Sequence, residues 1–233
     1  KVKCLLIGGQ ACIIYGAAEF SRDSDFVVLS THENLECLQK ALDALKAELI
    51  YVPPLEIDYL KRGHACHFRC GAEDVKNLRI DVISKLRGCD PFDKLWERKK
   101  TVLAKGSTDL DVIGLRDLVQ SKKTQRDKDW FMLKRLVDND IILNKDNPPD
   151  GRVRWWFREC RDAGTLVELA EKYPEIAKEC TLDRQLLASA IIPDVQSLNL
   201  QLRDEEMAER QKDTEYWIPL KEELETLRKS RSR

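Results

Sequence analysis

The chain has 233 residues, and 35% of them are charged, yet 40 basic and 41 acidic residues leave a formal net charge of only −1. A balance of this kind excludes a field over the whole molecule that would announce a nucleic-acid or membrane partner, so any polyanion site has to be local. No apolar run approaches the roughly 20 residues of a membrane helix and no signal-peptide pattern opens the sequence, so we expect a cytoplasmic protein with no membrane partner.

Taken in order, Cys4-Leu5-Leu6-Ile7 reads as a buried strand, Gly8-Gly9 as a turn, Gln10 to Tyr15 as a short apolar helix, and Asp23-Ser24-Asp25 as the entry to a second strand ending at Leu29. Asp23 and Asp25, spaced i, i+2, project to one face, where two carboxylates repel unless a cation sits between them. His32 to Glu48 carries Leu35, Leu38, Leu42 and Leu45 at helical spacing behind Thr31 as N-cap. Leu49 to Val52 is a short strand closed by Pro53-Pro54, and Leu55 to Arg62 is ambiguous. His64 to Cys70 and Leu78 to Ser84 read as paired strands joined by a polar turn, with Asp81 inside the second. A lone carboxylate in an apolar strand requires a partner, because burying it unpaired is costly.

Pro91 opens a short helix, Thr101-Val102-Leu103 is an edge strand, and Leu115 to Ser121 is a helix. A basic cluster at Lys122, Lys123, Arg126 and Lys128 then leads into a helix with Trp130, Leu133, Leu136 and Val137 on one side. Residues 144–151 read as a linker between a domain of residues 1–143 and an all-helical one of residues 152–233. In the latter, Arg152 to Arg161 places Val153, Trp156, Phe157 and Cys160 on one helical face and Arg154, Arg158 and Arg161 on another. That arginine stripe is either a solvated face or a phosphate or RNA contact. Thr165 to Tyr173 and Leu182 to Ile191 are further helices, stopped by Pro174 and Pro193, and a charged helix from Ser197 to Arg228, broken or kinked near Pro219, ends in a frayed basic tail of Arg228, Lys229, Arg231 and Arg233. The eight cysteines show no paired CxxC framework and read as buried thiols of a reducing compartment. Only His64-Ala65-Cys66-His67-Phe68-Arg69-Cys70 collects zinc-ligand types, and strand alternation turns His67 away from Cys66 and Cys70.

Three acids, Asp23, Asp25 and Asp81, fall on strands that adjacency would bring together, an arrangement that suits two magnesium ions bridging substrate phosphates. Gly8-Gly9 adds bare backbone N–H groups where a strand ends and a helix begins. The series Ile7-Gly8-Gly9, Asp23-Ser24-Asp25-Phe26 and Ile80-Asp81-Val82 resembles the nucleotidyltransferase (polymerase-beta-like) superfamily. With Gln10-Ala11, Tyr15-Gly16, Ser21-Arg22 and Lys122 to Asp129, it is similar to the bacterial branch that includes AbiEii-type abortive-infection toxins. The motifs cover roughly Lys3 to Leu136.

The resemblance implies an α+β fold, a nucleotidyltransferase-like mixed sheet flanked by helices and followed by an all-helical C-terminal region. It implies transfer of a nucleotidyl group from an NTP to a hydroxyl of RNA or protein with release of pyrophosphate, and a toxin-like role with a neutralising antitoxin as partner. By the same resemblance Asp23, Asp25 and Asp81 hold two Mg2+ ions and carry catalysis. Gly8, Gly9 and Ser21 cradle the triphosphate, Lys122, Arg126 and Lys128 neutralise phosphate charge, and Asp129 orients them. The chain departs from that branch at Glu19, where Arg is frequent, and this removes a positive charge near the triphosphate. The alternatives are a catalytically weak nucleotide- or RNA-binding protein of the same fold, and a kinase-like phosphotransferase.

Overall fold

The computed structural model describes residues 1–103 and 109–231, without the side chain of Arg231, so the end of the basic tail lies outside the described residues. The chain forms two compact units, one of Lys1–Ser121 with Glu215–Arg233 and one of Lys122–Thr214. The last part of the domain expected over residues 1–143 belongs to the second unit, and the end of the chain to the first.

The first unit is α+β. Its strands are β1 (Cys4–Ile7), β2 (Asp23–Val28), β3 (Glu48–Leu49), β4 (Cys66–Arg69), β5 (Arg79–Ile83), β6 (Lys100–Val102) and β7 (Leu110–Val112), in the order β3-β4-β5-β2-β1-β7-β6. The sheet is mixed: β2–β5 and β1–β7 are parallel, the other pairs antiparallel. Helices α1 (Gly8–Ile14), α2 (His32–Ala44), α3 (Ile57–Arg62) and α4 (Phe92–Glu97) lie between strands, and α5 (Leu115–Ser121) follows β7. Alternation along the strands sends Phe26, Val28, Ile80, Val82, Cys66 and Phe68 into one core, where they pack with Leu38 and Leu42 of α2 and Leu60 of α3. Cys66 and Cys70 are thus core side chains, each with a thiol pushed up in pKa by burial.

Several boundaries moved for identifiable reasons. Thr31 Oγ1 accepts from the Asn34 N–H at 3.3 Å and caps α2, which ends at Ala44. β3 covers two residues rather than Leu49 to Val52: the Ile50 N–H still donates to the His67 carbonyl at 2.8 Å, but Pro53 and Pro54 bring no donor. The ambiguous stretch before Gly63 is α3, stopped where Gly63 takes the left-handed conformation (φ 107°). Leu110 to Leu115 reads as a lead into α5, but β7 is a strand there, pairing antiparallel with β6 at three positions and parallel with β1 at Leu6 opposite Val112.

The second unit is helical, as expected of the C-terminal part of the chain. It comprises α6 (Asp127–Asn144), α7 (Asp150–Glu159), α8 (Ala163–Lys172), α9 (Pro174–Cys180), α10 (Leu187–Ile191) and the beginning of α11 (Val195–Arg231). Its core holds Leu133, Leu136, Val137, Val153, Trp156, Phe157 and Leu166, and Trp156 Nε1 donates to Asp140 Oδ2 at 2.8 Å. α8 ends at Lys172, just before the expected stop at Pro174, and Pro174 then occupies the first turn of α9, where its missing N–H costs nothing. α11 runs through Pro219 and holds Arg228 and Lys229, which we expected to fray, in helix. The arginine stripe is shorter than expected, because α7 ends at Glu159. Arg154 pairs with Glu179, Arg158 with Glu159 at 3.3 Å, and Arg161, past the helix end, with Glu205 at 2.6 Å. Among the described residues no helix is long and apolar enough to cross a membrane.

Candidate active site

The sheet register decides which acids meet. Ile7 of β1 lies opposite Asp25 of β2, Asp25 opposite Asp81 of β5, and Asp81 opposite His67 of β4, so the four form one row across four strands. A second row runs Asp23, Arg79, Arg69 and Glu48 over β2, β5, β4 and β3. Residues directly opposite on paired strands share a face, so Asp23, Asp25, Asp81, Arg79 and His67 all lie on the face turned away from the Phe26–Val82 core. The anticipated meeting of the three acids is therefore present at the level of the backbone.

The first turn of α1, which begins at Gly8 rather than after a Gly8-Gly9 turn, is fitted to this face. Gly8 has φ +66°, and a Cβ built on it would stand 2.0 Å from Asp25 Oδ2 and 2.8 Å from Asp25 Cβ. A Cβ on Gly9 would stand 2.5 Å from Ser21 Oγ. Side chains are thus excluded at both positions, by conformation and space at Gly8 and by space at Gly9. Ser21 Oγ donates to the Asp23 carbonyl at 3.2 Å, tying the approach of β2 to the same corner.

Electrostatics then distinguishes the acids. Asp81 is gripped by a two-pronged guanidinium: Arg79 Nε donates to Oδ1 at 2.8 Å and Nη2 to Oδ2 at 2.9 Å. His67 Nδ1 lies 2.9 Å from the same Oδ1 and 3.1 Å from Arg79 Nη2. An ionised carboxylate only accepts, so the Nδ1 proton belongs to the bond with Asp81. Burial pushes the Asp81 carboxyl up, but His67 and Arg79 outweigh it and hold the pKa below the usual carboxylate range. For Arg79 the hydrogen bonds to Asp81 come first, followed after a smaller opposing effect of burial by the charges of Asp81 and Asp23, and its pKa is raised. Neighbouring like charges about 4 Å apart repel by about 4 kcal/mol at an effective dielectric constant of 20. Arg79 offsets part of that repulsion, through its hydrogen bonds to Asp81 and the charge it shares with Asp23.

Neither Arg79 nor His67 was singled out from the sequence as part of this site. Arg79 was within reach, since it stands two residues before Asp81 on a strand and shares its face. His67 depended on the β4–β5 register.

The remaining candidates belong to the second unit. Lys122 Nζ donates to Asp129 Oδ1 at 2.9 Å, Thr124 Oγ1 to Oδ2 at 2.8 Å, and Arg126 Nε to Oδ2 at 2.7 Å. Lys122 and Asp129 are buried, while Arg126 and Lys128 are exposed. Burial raises the Asp129 carboxyl, and the charges of Lys122 and Arg126 reverse that and hold it low.

For magnesium, Asp23 and Asp25 fit in kind, being hard oxygen donors on one strand face. Asp81 as placed does not, because both its oxygens are taken by Arg79 and His67. Among the described residues no group of three or more His, Cys, Asp or Glu side chains is arranged to hold a metal. Compared with known proteins, the sequence matches no family model and no curated relative.

Proposed function

We propose that the polar end of this sheet is a nucleotide site and that the chain is a nucleotidyltransferase, moving a nucleotidyl group from an NTP to a hydroxyl of RNA or protein. The observation that carries the reading is the row Ile7, Asp25, Asp81: the strand leading into Gly8-Gly9, the acidic pair and the third acid stand side by side on three paired strands. Gly8 and Gly9 leave backbone beside Asp25 and Ser21 where a phosphate can approach without meeting a side chain. Asp23 and Asp25 would hold magnesium, which when bound supplies positive charge to the triphosphate. Asp81, with its carboxyl held low, is a weak base at neutral pH and contributes charge rather than proton uptake. In the transfer the acceptor oxygen bonds to the α-phosphorus and the bond to pyrophosphate breaks.

A second reading, nucleotide binding without turnover, is favoured by one observation: Asp81 is already committed to Arg79 and His67. Incubation with Mg2+, total RNA and NTPs labelled at the α or γ phosphate separates the readings. Label from the α position on RNA or protein, lost in Asp23→Asn with Asp25→Asn, supports nucleotidyl transfer. Label from the γ position points to a kinase-like phosphotransferase, and bound nucleotide without transfer supports the second reading.

A further inference from the structure

We propose that the turns of α11 beyond Pro219 are a hinged strap over His64: Glu223 is its catch on the imidazole, Pro219 is its hinge, and opening presents the His64 ring to solvent. The inference does not rest on nucleotidyl transfer. Its residues lie on α3, on the lead into β4 and on α11, all within the first unit.

The approach of α11 begins at Gly63, which ends α3 in the left-handed conformation. A Cβ built there would stand 2.7 Å from the Tyr216 hydroxyl and 3.7 Å from Leu220 Cδ1, so glycine admits the helix where a side chain would not fit. One turn on, Glu223 reaches back: its Oε2 lies 2.7 Å from His64 Nε2, and its Oε1 accepts from Arg62 Nη2 at 2.7 Å. An ionised carboxylate only accepts, so the Nε2 proton of His64 belongs to that bond. The His64 bond comes first among the causes that hold the Glu223 carboxyl below its usual range, and after an opposing effect of burial the Arg62 bond adds to it. The two partners differ in weight. The Arg62 side chain is 45% exposed, and water offers it an alternative to Glu223. The His64 side chain is 1% exposed, and its Nδ1 has no hydrogen-bond partner among the described residues. Without Glu223 both ring nitrogens would be buried and unpaired, so loss of the catch drives the ring toward water. The same helix supplies the hinge. Pro219 has no N–H to give to the carbonyl four residues back, so α11 lacks the helical hydrogen bond from position 219 to Glu215, and Leu220 and Glu223 lie beyond that gap. Leu220 is the only buried side chain beyond Pro219 among the described residues. A segment held by one apolar residue and one half-open carboxylate, next to a weakened turn, opens locally well before the sheet does.

The test is modification of the full-length chain by diethyl pyrocarbonate, read histidine by histidine by mass spectrometry, with the exposed His32 as internal standard. Glu223→Ala removes the catch and is expected to raise the rate at His64 about ten-fold over the native chain, the order set by a hydrogen bond to a charged group, with His32 unchanged. Glu223→Gln, which keeps an acceptor for Nε2 but not the charge, should fall between the two. Pro219→Ala restores the missing helical bond and should slow His64 below the native rate. Hydrogen exchange on the same proteins separates strap from fold: in Glu223→Ala, protection should fall in the turns beyond Pro219 and hold in β1 and β2. Equal His64 rates in Glu223→Ala and the native chain, no slowing by Pro219→Ala, or an equal loss of protection in β1 and β2 overturns the proposal. If circular dichroism shows Glu223→Ala unfolded, Pro219→Ala carries the test by the same criterion.

Discussion

Asp81 and Asp129 are both carboxylates held by an arginine and a second side-chain donor, yet their surroundings differ. The Asp129 side chain is 1% exposed and meets Lys122, Arg126 and Thr124; that of Asp81 is 17% exposed and stands beside two further acids, Asp25 in its own row and Asp23 in the next. Around Asp129 cations outnumber acids and nothing is left to bind. On the sheet face Asp81 is held by Arg79 and His67, and the charge of Asp23 also acts on Arg79. A closed pair with cations in excess is what a fold uses to fix a loop-to-helix junction. A more open one beside further acids is what a site uses to act on something outside the chain.

The sharpest way to break that comparison is to remove the buried acid. Asp129→Ala strands Lys122 in the interior and is expected to cost about 3–5 kcal/mol, read as a shift of the urea midpoint. Replacing both partners, as in Lys122→Met with Asp129→Leu, should cost much less, because no uncompensated charge remains. If the single and double replacements lose equally, the pair is not the closed structural element described. Gly8→Ala comes next. Its Cβ combines φ +66° with a 2.0 Å clash on Asp25 Oδ2, so a loss of about 1–3 kcal/mol is expected, together with weaker nucleotide binding. A stable variant with native binding would separate the turn from the acids.

How much of this was legible follows the same division. Cys4 to Ile7, Gly8-Gly9 and Asp23 to Val28 could be read because each is a local pattern: apolar runs with turn residues between them, and carboxylates two apart on a strand. The pairing of Asp25 with Asp81 is legible only as adjacency; its register is set across 55 intervening residues, whose Leu38, Leu42 and Leu60 pack into the core under both strands. β7 is three residues long and exists because β6 and β1 offer it partners on its two sides, which no local pattern announces. At Pro174 the end of α8 is legible, because proline cannot continue a helix, but the start of α9 at the same residue is not announced by a separate signal. For Lys122 to Asp129, acids and bases at a helix start look alike whether solvated or buried. The fact that Asp129 turns inward, with Trp130 beside it donating to the Thr124 carbonyl at 2.6 Å, was invisible in the sequence.

Acid titration sharpens the comparison with a smaller effect. Both carboxyls are held below their usual range, so each stabilises the fold above the unfolded value near 3.9 and loses that contribution as pH falls through its lower folded pKa. Stability should therefore be flat through neutrality and decline below about pH 4. Asp129→Asn should flatten that acid decline more than Asp81→Asn does, since solvent already screens the more open pair. An equal effect of the two would mean that exposure does not separate them.

The smallest expected change in stability is the most informative for function. Asp23→Asn with Asp25→Asn removes two charges and keeps the shape of both half-buried side chains. The stability loss should stay below about 1 kcal/mol, smaller than that expected at the buried Asp129. Divalent-ion binding and label transfer should be lost together. Acids kept for stability would show the reverse, a clear loss of fold with cation binding unchanged. A site that carries acids the fold does not need is one whose charge is directed at something outside the chain.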